Sequence, residues 1–159
     1  MNRNAFCVFG AILFLIITLA ACQSKLFTAK GKMVVEEKRI AIQQNGSVSG
    51  SWQGKSDLTI DYTANRSQDE LQMAGDILFR KHEKLNSFRL SLVLIDAGGN
   101  ILDVVPIATA GGRHQIEQLP FTHELTLPPD ARYFAFTYDG TSSGVGAGGS
   151  PSSFWSAPW

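Results

Sequence analysis

The stretch "FRLSLVLIDAGGNILDVVPIATA" limits the folds open to this chain more than any other. Two runs rich in β-branched and aliphatic residues, Phe88 to Ile95 and Ile101 to Ala108, flank the short segment Asp96 to Asn100. Its glycines can take the positive φ angles that a hairpin turn requires, so the stretch predicts a pair of antiparallel strands. Pro106 has no N–H to give to a ladder, which places the second strand at an edge or at a bulge.

The same rhythm continues on either side. In "SDLTIDYTA", Leu58, Ile60 and Tyr62 recur at period two and share one face of a strand. "SQDELQMAGDILFRK" carries two signals. Ser67 and Glu70 match a capping box, with Leu71, Ala74 and Leu78 at helical spacing. Leu71, Met73, Ile77 and Phe79, however, alternate around Gly75, and an interior glycine costs a helix about 1 kcal/mol relative to alanine. The strand is the preferred reading. "KMVVEEKRIAIQQNG" fits either a strand or a short helix, and the two Asn-x-Ser stretches, at Asn45 and Asn65, read as turns.

"LPFTHELTLPPDARYFAFTYDG" adds two strands around a Pro-Pro-Asp corner, and about seven strands at hairpin-like intervals result. The expected fold is all-β, a single immunoglobulin-like antiparallel β-sandwich. Leu127, Pro129 and Tyr133 have the L-x-P-x-x-x-Y spacing that resembles the sheet-to-sheet corner of fibronectin type III domains. That resemblance implies a tyrosine corner, in which the Tyr133 hydroxyl bonds back to the nearby backbone. The stretch from Gly75 through "LVLIDAGGNIL" to "FAFTY" is similar to the FxLYD group of bacterial extracytoplasmic sandwiches. An outer-membrane barrel is disfavoured, since several runs fall short of the roughly 9 to 11 residues that a spanning strand needs.

The chain opens with one basic residue, Arg3, and an apolar run from Ala5 to Ala21. That run is shorter than the roughly 20 residues of a spanning helix, and its flanks suit a cleaved secretory signal. Leu19-Ala20-Ala21-Cys22 then resembles the lipobox of bacterial lipoproteins at all four positions. The resemblance implies signal-peptidase recognition of Leu19, Ala20 and Ala21, cleavage before Cys22, and lipid on its sulfur. Two or three acyl chains hold a protein on a membrane where one holds it only marginally. By the same resemblance, Gln23 in place of the aspartate that retains enteric lipoproteins in the inner membrane implies the outer membrane and its periplasmic face.

The expected organisation is thus a signal at 1–21, a lipidated tether at 22–32, a sandwich at 33–139, a Gly/Ser-rich loop at 140–153 and an aromatic segment at 154–159. Of 159 residues, 138 remain after cleavage, which suits one domain. Cleavage removes Arg3 from a chain with 14 basic and 14 acidic residues, leaving a balance of −1. Such a surface offers no electrostatic footprint for nucleic acid. Of the two cysteines, Cys7 leaves with the signal and Cys22 takes lipid, so no disulfide or thiolate metal site is expected.

No catalytic constellation is evident. His82, His114 and His123 are far apart and lack partners at ligand spacing. His123 and Glu124 are neighbours on a strand and point to opposite faces. G-x-S-x-G is absent, and the carboxylates are scattered. Gly144, Gly146 and Gly149 satisfy G-x-G-x-x-G, yet Pro151 and serines follow instead of a helix, so the match is compositional.

The expected function is that of a non-enzymatic, lipid-anchored envelope protein without cofactor or metal, partnered by membrane lipid and an envelope protein. An alternative is a module that binds glycan or peptide by stacking on Trp52, Tyr138 and the tail aromatics; an envelope hydrolase ranks third. The tail itself admits two readings. Either Phe154 to Trp159 closes the sandwich as a last strand with Trp155 in the core, the favoured reading, or Phe154, Trp155 and Trp159 stay outside as a docking patch.

Overall fold

The computed structural model describes residues 29–44, 46–55, 58–80, 84–143 and 151–159. The expected signal and lipidation site, with the first part of the tether, lie outside them. The described chain forms nine strands: β1 Ile40–Ala41, β2 Gly46–Gln53, β3 Leu58–Ser67, β4 Glu70–Phe79, β5 Lys84–Ile95, β6 Ile101–Gln115, β7 Gln118–Thr126, β8 Tyr133–Ser143 and β9 Pro151–Ser156. The one helical element among these residues is a 3-10 turn at Glu36–Lys38. The protein is all-β, as expected, with two more strands than the expected seven. The additional ones are β1 and β2, which precede the first strand read from alternation.

All ladders are antiparallel and make two sheets. One sheet runs β2-β3-β4-β7. The other runs β6-β5-β8, and along the far side of β8 lie β1 at one end and β9 at the other. The chain crosses between the sheets after β1, β4, β6 and β7, so their inner faces close on a common core.

Alternation explains which side chains fill that core. Leu58, Ile60, Tyr62 and Ala64 of β3 are buried, as are Leu71, Met73, Ile77 and Phe79 of β4. Gly75 interrupts the β4 series because β3 passes over it: a Cβ there would strike the Asp61 carbonyl oxygen. From β8 come Phe134, Phe136 and Tyr138. Their rings, with Tyr62 and Trp52, make edge-on and tilted contacts at centroid separations of 5.2 to 6.1 Å, the arrangement aromatic quadrupoles prefer. Burial pushes the Tyr62 hydroxyl above its ordinary pKa.

The β5–β6 hairpin is longer than its sequence signal but turns where expected. Asp96 N–H donates to the Asn100 carbonyl, Gly99 at φ +92° donates to the Asp96 carbonyl, and the Asp96 carboxylate accepts from Asn100 N–H and Nδ2. The Pro106 expectation holds in both forms. β6 is an edge strand, and the register shifts at this point, with Leu90 opposite Ala108 and Ser91 opposite Pro106.

β5 shows a second feature. Every residue from Leu90 to Ile95 is buried, so this half of the strand is covered on both faces. The outer cover is a small cluster in which Ala29 and Val34 lie on Val93, Ile95, Ile101 and Ala135, with Tyr133 and Trp159 packed against it. Backbone bonds hold the covering segment: Gly31 N–H to Ile101 C=O, Ile101 N–H to Lys32 C=O, and Val34 N–H to Gly99 C=O. The expected tether is therefore part of the packed domain from Ala29 onward.

Three local readings need correction. Asn65 is not in a turn but in β3, opposite Ser47 and Gln72 on the exposed face. The expected loop at 140–153 is strand at both ends, since β8 runs to Ser143 and β9 starts at Pro151; its remainder, 144–150, lies outside the described residues. The corner at 127–133 forms, but by other bonds. Ala131 N–H donates to Pro128 C=O, Leu127 N–H to Asp69 C=O, and Arg132 Nη1 to the Pro129 and Ala131 carbonyls. Leu127 is buried in the core and Pro129 is exposed. Tyr133 faces the outer cluster, because Phe134 takes the inward position beside it, and no hydrogen bond of its hydroxyl occurs among the described residues.

Candidate functional site

The tail divides between the two readings. β9 closes the sheet against β8, pairing Gly140 with Phe154 and Asp139 with Trp155. Strand alternation then sends the two neighbouring aromatics to opposite faces. Phe154 goes inward, stacked on Phe88 at 6.2 Å and tilted against Tyr138 at 6.1 Å. Gly140 makes room for it, since a Cβ there would meet the Phe154 ring.

Trp155 does not fill the core. It lies on the outer face with 59% of its surface exposed, and Lys55 Nζ sits 4.4 Å from its ring centroid. Trp159 is half-buried against the outer cluster, with Lys32 Nζ 5.5 Å from its centroid. Phe154 is thus withdrawn from the expected docking trio, and the strand and the patch are built from alternate residues of one segment. Of the other aromatics considered for stacking, Tyr138 belongs to the core with 2% exposure, and Trp52 is half-buried against it.

Between Trp155 and Trp159 runs an open trough of about 570 Å³ on the outer face of the five-stranded sheet. Ladder register fixes its floor. Arg89, Asp139 and Trp155 are opposite one another on β5, β8 and β9 and make one transverse row; Ser87, Thr141 and Ser153 make the next. Within the second row the Ser87 and Thr141 hydroxyls are hydrogen-bonded at 2.8 Å. At the other end, the Thr137 hydroxyl donates to the Ser156 carbonyl at 2.8 Å, tying the end of β9 to β8.

The trough therefore combines a broad apolar ring, a guanidinium, a carboxylate and a floor of hydroxyls. Such a surface can stack, donate and accept at once. Its volume falls within the range of small-ligand clefts, roughly 300 to 1,000 Å³.

Arg89, Asp139, Ser87 and Thr141 were not singled out in the sequence, because cross-strand neighbours depend on register. One signal was present. In "SFRLSLVLI" the outward positions change from Ser87 and Arg89 to Val93 and Ile95, which marks where the covered part of this face ends and the open part begins.

The other expected sites fall as follows. Leu19, Ala20, Ala21 and Cys22 lie outside the described residues, as does His82. His123 is half-buried within β7, on the inner-facing series opposite Met73, while Glu124 beside it is exposed. Among the described residues no three His, Cys, Asp or Glu side chains are grouped so as to hold a metal ion, and no helix is long and apolar enough to cross a membrane. No protein-family model, curated protein or solved structure matches the chain.

Proposed function

We propose that this protein is a lipid-anchored, non-enzymatic binding module of a bacterial envelope, held through Cys22 at the periplasmic face of the outer membrane. Its contact surface is the trough beside Trp155. The anchor rests on the apolar run and on Leu19-Ala20-Ala21-Cys22. An immunoglobulin-like assignment of the sandwich is supported by strand order: without β1 and β2, β6-β5-β8-β9 faces β3-β4-β7, with crossovers between consecutive pairs.

One observation carries the binding role. A tryptophan on a strand whose neighbouring aromatic is packed inward nonetheless stays largely exposed, in the same row as an arginine. Tryptophan and arginine are enriched among residues that dominate protein interfaces. A protein partner seated across the trough is the first reading. Purifying crosslinked complexes from cells should recover one discrete partner with the parent chain and lose it with Trp155→Ala. Equal recovery from both would contradict the reading.

The hydroxyl rows favour a second reading, an envelope glycan whose ring stacks on Trp155 while its hydroxyls meet Arg89 and Asp139. Titrating tryptophan fluorescence with envelope glycans separates the two: a saturable change lost in Trp155→Ala supports glycan, and a flat response supports protein. The hydrolase reading is weakest; turnover of an envelope substrate by the purified chain would replace both.

A further inference from the structure

The two sheets expose four edges, and three are blunted by features that discourage strand addition. β6 has Pro106 and the register shift beside it. β7 has Pro120 and, further along, His123 and Glu124. The edge beyond β8 is divided between the two-residue β1 and the six-residue β9, which begins at Pro151. β2 differs from all of them. Its eight residues, Gly46-Ser-Val-Ser-Gly-Ser-Trp-Gln53, include no proline and no charge, and they pair with β3 in unbroken register. Among the described residues no strand pairs with its other side, which presents a row of backbone donors and acceptors.

We propose that β2 pairs edge to edge with β2 of a second copy of this chain, antiparallel, about a two-fold axis at Val48. The occupant follows from the sequence of the edge. Gly46-Ser47-Val48-Ser49-Gly50 reads the same in both directions, so a two-fold at Val48 sets Gly46 opposite Gly50, Ser47 opposite Ser49, and Val48 opposite itself. An isologous interface needs this kind of self-complementarity.

Each pairing is chemically matched. Ser47 and Ser49 are exposed on the outer face, where Ser49 already shares a hydroxyl hydrogen bond of 2.9 Å with Thr63 of β3. A second strand would extend that row of hydroxyls. On the inner face Val48 packs against the core while remaining half-exposed, and the partner's Val48 would complete its burial. The absence of charge along β2 removes the repulsion that normally keeps like edges apart. The product is one continuous eight-stranded sheet across two molecules.

Sedimentation of the full chain in mild detergent, over a dilution series, is the first test. A monomer–dimer equilibrium is expected, weakened at least about a hundredfold by the doubly substituted Ser47→Lys/Ser49→Lys chain, whose four lysines would face one another across the axis. Thr122→Lys, on the β7 edge, should leave the equilibrium unchanged. Register is tested by cysteines: Ser47→Cys mixed with Ser49→Cys should form a crosslinked dimer that neither variant forms alone. A monomer at every concentration, a dimer indifferent to the lysines, or equal crosslinking in mixed and unmixed samples would each overturn the proposal.

Discussion

The Phe154 ring stacks on Phe88 with an angle of 17° between their planes, joining the last strand to the core of the sandwich. Trp155, one residue on, points to the outer face and has Lys55 over its ring. Phe154→Ala should therefore cost about 2–3 kcal/mol, somewhat under the range for a fully buried phenylalanine. Trp155→Ala should cost no more than about 1 kcal/mol, the size of an exposed cation–π contact. Urea unfolding of the two variants against the parent measures the difference directly.

Two glycines make room for different neighbours, and their alanine variants should differ accordingly. At Gly75 the obstacle is the Asp61 backbone, fixed in the β3–β4 ladder, so Gly75→Ala should lose about 3 kcal/mol. At Gly140 the obstacle is the outer end of the Phe154 ring, which can tilt away, and Gly140→Ala should lose about 1 kcal/mol. Equal losses would mean that β9 is held as firmly as the β3–β4 pair.

The β5–β6 turn predicts a pH dependence. Hydrogen bonds from the Asn100 side chain, then from its backbone N–H, hold the Asp96 carboxyl below its ordinary pKa. A depressed folded-state pKa favours the folded state above the unfolded value, about 4, and that stabilisation is lost as pH falls through the folded value. The melting temperature of the parent should therefore drop more between pH 6 and about pH 3 than that of Asp96→Asn, whose amide does not titrate. Identical drops would contradict this role for Asp96.

Trp159 secures the N-terminal segment. It packs on the cluster that contains Ala29 and Val34, with Lys32 over its ring. Trp159→Ala should raise the exchange rate of the Val34 amide, bonded to Gly99 C=O at 2.9 Å, without altering exchange in β3. Acceleration in both places would show that the outer cluster and the main core open together.

Much of the fold was legible where the pattern is local. The hairpin around Asp96 to Asn100, the buried face of Leu58, Ile60 and Tyr62, and the alternation of β4 across Gly75 all follow from period two and turn chemistry. β2 was missed because its serines and glycines resemble a loop; pairing with β3, not propensity, makes it a strand. Tyr133 was misplaced for a related reason. Spacing identifies a corner, but the side chain takes the face left to it by Phe134. The candidate site was legible only as a list of aromatics, since the row of Arg89, Asp139 and Trp155 exists through the register of three strands distant in sequence.

The central claim is that the Trp155 face is where this protein meets its partner. Replacing Trp155 by a photoreactive amino acid in living cells tests it most directly, with Thr122, exposed on β7 of the other sheet, as the comparison. The account predicts a discrete crosslinked adduct from position 155 and none from 122. An adduct from position 122 alone, or no adduct at 155 above that comparison, would contradict it.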